Sequence, residues 1–168
     1  MKSELIRNSI AVMIILAVLC QLLSSCSPIP PNRLTFEKEL NESFEDFETV
    51  MDYFLGLEYD SASVKANIDN DDLTCCWADF GYHTITEENV ISALERLHSI
   101  GCSYISKDTE NNSISFELWW SSQDIGCGVL YQIDPQRKPA LQFLTELNET
   151  EHDGWFTFVT NYNEWRSN

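Results

Sequence analysis

Between residues 34 and 57 the apolar positions are Phe36, Leu40, Phe44, Phe47, Met51, Phe54 and Leu55, stepping by three and four with acidic residues between them. That period predicts an amphipathic helix. A second stripe, Val90, Ile91, Leu94, Leu97 and Ile100, predicts another helix, capped at Thr84 or Thr86 and stopped by Gly101. Beyond it the period becomes two. SYIS (103–106) and SISFELWW (113–120) flank the turn-forming DTENN, and GVLYQI (128–133), LQFLTEL (141–147) and GWFTFVT (154–160) continue the series. Residues 58–84 are less regular: SVKANI allows a strand, and DNDDLTCCWADFGYH reads as loop with packed aromatics. The expected fold is α+β, with two helices packed on one face of an antiparallel meander of about five strands.

Alternation sorts the strand residues into two faces. Ile114, Phe116, Leu118 and Trp120 share one side, with Val129, Tyr131 and Ile133 and with Phe156 and Phe158 as the matching sets. These richer sets are expected to meet the helices. Trp119, Leu130, Trp155 and Val159 are then left on the second face. Adjacent tryptophans cannot both enter one core while the strand stays regular. Two explanations stay open: an aromatic binding face for a protein, peptide or glycan, or a face covered by residues 58–84, where Trp77 and Phe80 must also pack.

The start of the chain has a different character. Lys2 and Arg7 precede the apolar run Ile10–Cys20, which is too short for a spanning helix and suits an export leader. It ends in Leu23-Ser24-Ser25-Cys26, which resembles the lipobox of bacterial lipoproteins. The resemblance covers residues 1–27 only. It implies cleavage between Ser25 and Cys26, acylation of the Cys26 thiol, and anchoring to a membrane of the cell envelope with the chain outside the cytoplasm. Several acyl chains meet the requirement that a stable anchor needs more than one. The expected organisation is a signal peptide (1–25), the lipidated cysteine with a proline-rich tether (26–33), and a single acidic domain (34–168).

Charge narrows the partners. Losing Lys2, Arg7 and Glu4 with the leader takes the 10 basic and 27 acidic residues to 8 and 26, a net of −18. So negative a chain argues against nucleic acid and against a polybasic grip on anionic lipid. Its 20 aromatic residues argue for a folded domain rather than an acidic disordered one.

Candidate chemistry is sparse. His83, His98 and His152 lack a neighbouring catalytic signature, and Cys75-Cys76 with a histidine is the nearest approach to a nucleophile and base. An envelope hydrolase using such a Cys/His or His/carboxylate site is therefore the alternative to a binding or accessory module, and the expectation is no enzyme. Asp69–Asp72 lacks the glycine and terminal glutamate of a calcium loop, so no metal or cofactor is expected. Of the exported cysteines, Cys102 and Cys127 are held apart by an intervening strand if strand order follows the chain. That leaves a staple from Cys75 or Cys76 to Cys102 or Cys127, or four reduced thiols.

The lipobox generates a direct prediction. Cys26→Ala will abolish incorporation of labelled palmitate in a bacterial host and leave an unprocessed precursor; an unlabelled wild-type protein would remove the basis for the anchor.

Overall fold

A computed structural model describes residues 31–65, 74–79, 81–121 and 124–163. The leader with Ser25 and Cys26, the first part of the tether, Asp69–Asp72 and Phe80 lie outside those residues. Three helices and eight strands make up the described part: α1 (Arg33–Glu42), α2 (Phe44–Gly56), β1 (Ser61–Lys65), β2 (Cys75–Ala78), β3 (Gly81–Thr84), α3 (Glu88–Ser99), β4 (Tyr104–Asp108), β5 (Ser113–Trp120), β6 (Ile125–Gln132), β7 (Leu144–Glu149) and β8 (Trp155–Asn161). No helix among the described residues is long and apolar enough to cross a membrane.

The first apolar stripe forms two helices rather than one. Ser43 leaves helical geometry at φ −121°, yet its N–H still donates to the Glu39 carbonyl, so the break is a kink. Phe36 and Leu40 of α1 and Phe47, Val50, Met51 and Phe54 of α2 are buried, while Leu55 turns outward. The second stripe is α3, burying Val90, Ala93, Leu94 and Leu97. Gly101 ends it as expected: at φ +103° it donates to His98, and Cys102 donates to Leu97, the paired bonds of a Schellman cap. Leu94 and Leu97 then meet Val64 and Ile105 of the sheet.

The sheet is α+β in kind but larger than expected, with eight strands in the order β3-β2-β1-β4-β5-β6-β8-β7, all neighbours antiparallel. Residues 61–84 supply three of them. The sequence allows a strand only at SVKANI, which overlaps β1, and residues 69–83 read as loop, because strands of four or five residues show too few alternations for a period. The described residues of this segment therefore extend the sheet rather than cover a face; Trp77 stands 45% exposed on β2. Nor is the C-terminal half a simple meander, since β8 inserts between β6 and β7. The connection 133–143 runs back along the sheet to reach β7. Buried Asn112 anchors its start, donating through Nδ2 to the Asp134 and Arg137 carbonyls and accepting from the Asp134 N–H at 2.6 Å.

The expected face assignment is overturned by one irregularity. Between Glu117 and Trp119 the β5–β6 register shifts, so that Glu117 pairs with Gly128 but Trp119 pairs with Cys127. A bulge of one residue exchanges the sides of everything after it. Trp119 moves to the helix side, partly buried against the core, and Trp120 moves to the far side, where it is 45% exposed. Trp155 and Val159 also face the helices, in register with Tyr131 and Cys127. Trp155 is 2% exposed and touches Phe44, Phe47, Phe116 and Tyr131. Here the sequence sorted β8 wrongly because Phe156 and Phe158 look richer than Trp155, Thr157 and Val159. Of the four residues assigned to one second face, only Leu130 lies there, and it is fully buried.

The bulge reverses the stability ranking that regular alternation implies. Trp119→Ala will cost about 3 kcal/mol and Trp120→Ala about 1 kcal/mol. Denaturant melts giving the opposite ranking would contradict the shifted register.

Candidate functional site

Beside the bulge the sheet opens into a cleft of about 670 Å³. Register explains its membership. Lys65, Tyr104 and Glu117 are neighbours across β1, β4 and β5, so their side chains stand in one row on the face away from the helices. The next residue in that row is Gly128, which brings no side chain to cover Glu117. Gly101, Ser103, Leu118, Trp119, Trp120 and Tyr162 complete the lining. The bulge places the two tryptophans at one end of the cleft from opposite sides of the strand.

Two glycines of β6 make that arrangement possible. A Cβ at Gly128 would come within 1.9 Å of the Phe116 carbonyl oxygen, and one at Gly126 within 3.0 Å of the Trp120 ring. Trp120 thus lies over Gly126 and against Tyr162, with ring centroids 5.2 Å apart. Tyr162 is itself held from behind by Phe143 at 4.9 Å and through its N–H to the Asp124 carbonyl at 2.9 Å. The aromatic wall is braced by the chain that follows β8 and the chain that precedes β7.

Glu117 supplies the cleft's acidic group. Burial pushes its carboxyl up to about 7, against the opposing influence of Lys65. Among the described residues the carboxylate accepts no hydrogen bond and forms no ion pair: the Glu117 bonds are made by its backbone, whose carbonyl accepts from the Ser103 N–H at 2.9 Å. It is a half-buried acid in an aromatic setting, with one lysine at its exposed edge.

The other sequence candidates fall elsewhere. Trp119 lines the cleft; Leu130, Trp155 and Val159 do not. Cys75, Cys76, Cys102 and Cys127 are all free thiols, and β5 does separate β6, which carries Cys127, from β4, which Cys102 precedes. Burial raises Cys102 to about 12 and Cys127 to about 11, so both are protonated at neutral pH. Cys76 and His83 are brought into register across β2 and β3. Burial raises the Cys76 thiol rather than lowering it, the reverse of an activated nucleophile. His98 Nδ1 lies 3.3 Å from the Cys102 carbonyl, and His152 stacks on Phe44 at 3.8 Å with Nε2 2.8 Å from Asn41 Oδ1. No histidine lines the cleft. Among the described residues no cluster of three or more His, Cys, Asp or Glu could hold a metal.

Sequence reasoning missed Glu117, Tyr104, Lys65, Trp120 and Tyr162. One signal was present: glycines two apart inside a strand, Gly126 and Gly128, mark a bulge or a close backbone approach. Comparison with protein-family models, characterised proteins and solved structures finds no match for this chain.

The raised pKa of Glu117 fixes a sign. The folded state holds its proton to higher pH than the unfolded chain, so this group costs stability as pH rises from about 4.5 to about 7. Relative to wild type, Glu117→Gln will be isostable near pH 4.5. It will be more stable by on the order of 2 kcal/mol at pH 8, after allowance for screening at the open side of the cleft. Parallel wild-type and variant melts across that range would show that Glu117 is solvated.

Proposed function

We propose that this chain is a lipid-anchored binding module of the bacterial cell envelope, and that the cleft bounded by Tyr104, Glu117, Trp119, Trp120 and Tyr162 is its ligand site. The observation that carries the reading is the composition of that cleft. It is concave, mostly apolar with four aromatic residues in its lining, and has few polar groups to set orientation, which is the usual make-up of a site for a small ligand or for one side chain or sugar of a larger partner. Trp120 is exposed at the rim although Leu130 and Phe158, elsewhere on the same face, are buried. An exposed tryptophan braced by Tyr162 is a fixed surface that a ligand can cover with little loss of side-chain freedom.

The anchor rests on the lipobox and the prolines after it. Cys26 would carry the acyl chains, and the tether would hold the domain just off the membrane. Binding fits the site better than turnover does: its one acid, Glu117, has neither a second carboxylate nor a histidine in the lining to complete an acid–base pair.

Screening the full-length protein in detergent against amines, amino acids, short peptides and oligosaccharides, read by tryptophan fluorescence, tests this. Hits are expected to quench the wild type and to weaken by about tenfold or more in Trp120→Ala, whose melting curve should stay close to wild type. Hits that bind both proteins equally would place the ligand site elsewhere.

A further inference from the structure

The charge of Glu117 has no internal answer. Tyr104, Trp120 and Tyr162 line the cleft with it, Gly128 leaves it uncovered, and no described residue donates a hydrogen bond to its carboxylate. We propose that the cleft takes an organic cation: an alkylammonium group whose charge meets Glu117 while its carbon substituents pack against Tyr104, Trp120 and Tyr162. The inference rests on the reading of this cleft as the ligand site and gives that site a chemical class.

Three physical points favour a cation over a neutral ligand. A half-buried carboxylate without donors has lost hydration that nothing in the fold replaces, and an incoming cation replaces it. The faces of tryptophan and tyrosine rings carry negative quadrupole density, so the same walls that attract hydrocarbon also attract an ammonium. The mature chain's net charge of −18 draws cations to its surface and repels anions. A sugar gains from ring stacking but gives the carboxylate only a neutral hydroxyl donor.

Lys65 is the competing feature. It stands at the edge of the same row and lowers the Glu117 pKa, yet burial outweighs it and no ion pair between the two forms. It therefore leaves the charge open to a ligand and acts as a gatekeeper whose removal should tighten binding. The other titratable groups near Glu117 are Tyr104, Tyr162, Cys102 and Cys127. Burial raises Tyr162, Cys102 and Cys127 and carries Glu117 to about 7, so among these four Glu117 is the group that changes charge between pH 5 and 8.

The test uses full-length protein and probes whose own charge is constant from pH 5 to 8. Choline supplies a quaternary ammonium, putrescine a primary one, and 3,3-dimethylbutan-1-ol is the uncharged isostere of choline. An acetylated, amidated lysine peptide represents the same head group on a protein partner, and chitobiose represents a glycan. At pH 8, choline, putrescine or the lysine peptide should bind at least about tenfold tighter than the isostere and chitobiose. Affinity should fall about tenfold per pH unit below 7, drop at least tenfold in Glu117→Gln, and rise in Lys65→Gln. Preference for the free amines or for the peptide identifies the source of the cation. Equal binding of the isostere, a preference for chitobiose, pH-independent binding, or no amine binding at all would overturn the cation while leaving the cleft itself to the Trp120→Ala comparison.

Discussion

Where β5 passes Gly128, the two backbones come so close that a side chain there would strike the Phe116 carbonyl. Much of the molecule's shape near the cleft follows from that approach. It admits the bulge at Leu118, and the bulge lets one strand send consecutive tryptophans to opposite sides without leaving the sheet. Trp119 reinforces the helix-side core, Trp120 is released to the surface, and Glu117 is left beside a missing side chain. Any residue but glycine at 128 would force the strands apart and undo all three together.

A second organising element is Trp155. It sits where α2, β5, β6 and β8 converge, and its ring touches four other aromatics. Such a hub contributes both buried area and the directional preference of edge-on packing, so it fixes how the helices sit on the sheet. Lys107 adds a polar tie at the other end. Buried on the helix side of β4, it donates through Nζ to the Leu57 carbonyl at 2.7 Å, where the C-terminus of α2 presents its unpaired carbonyls. The cleft lies on the opposite face and is built on this rigid support.

Long periodic segments were legible in the sequence. Both helical stripes, the glycine stop at Gly101 and the central strand SISFELWW are found where three-residue and two-residue spacing puts them. The short strands β2 and β3 were not, because a strand of four residues pairs through its backbone and needs little from its side chains. The site was legible only in part. Tandem tryptophans announced that something irregular happens at 119–120, but alternation counted from Ile114 cannot register an extra residue at 118. Glu117 was invisible for a different reason: its environment comes from β1, β4 and β6, which only the folded sheet brings beside it. The buried Trp155 was misjudged because hydrophobic richness was counted per strand, whereas burial is decided by the helices above.

The insertion of β8 between β6 and β7 has a consequence for how the chain assembles. β7 bonds to no strand except β8, so it stays an unpaired ribbon until Trp155–Asn161 has left the ribosome. Tyr162, the brace behind Trp120, comes later still. Synthesis from the amino end therefore delivers the helices and the β1–β6 sheet first and completes the cleft last. Occupancy of the cleft is thereby a report that the entire domain has been made, and a chain stopped before residue 155 has no means of counterfeiting it.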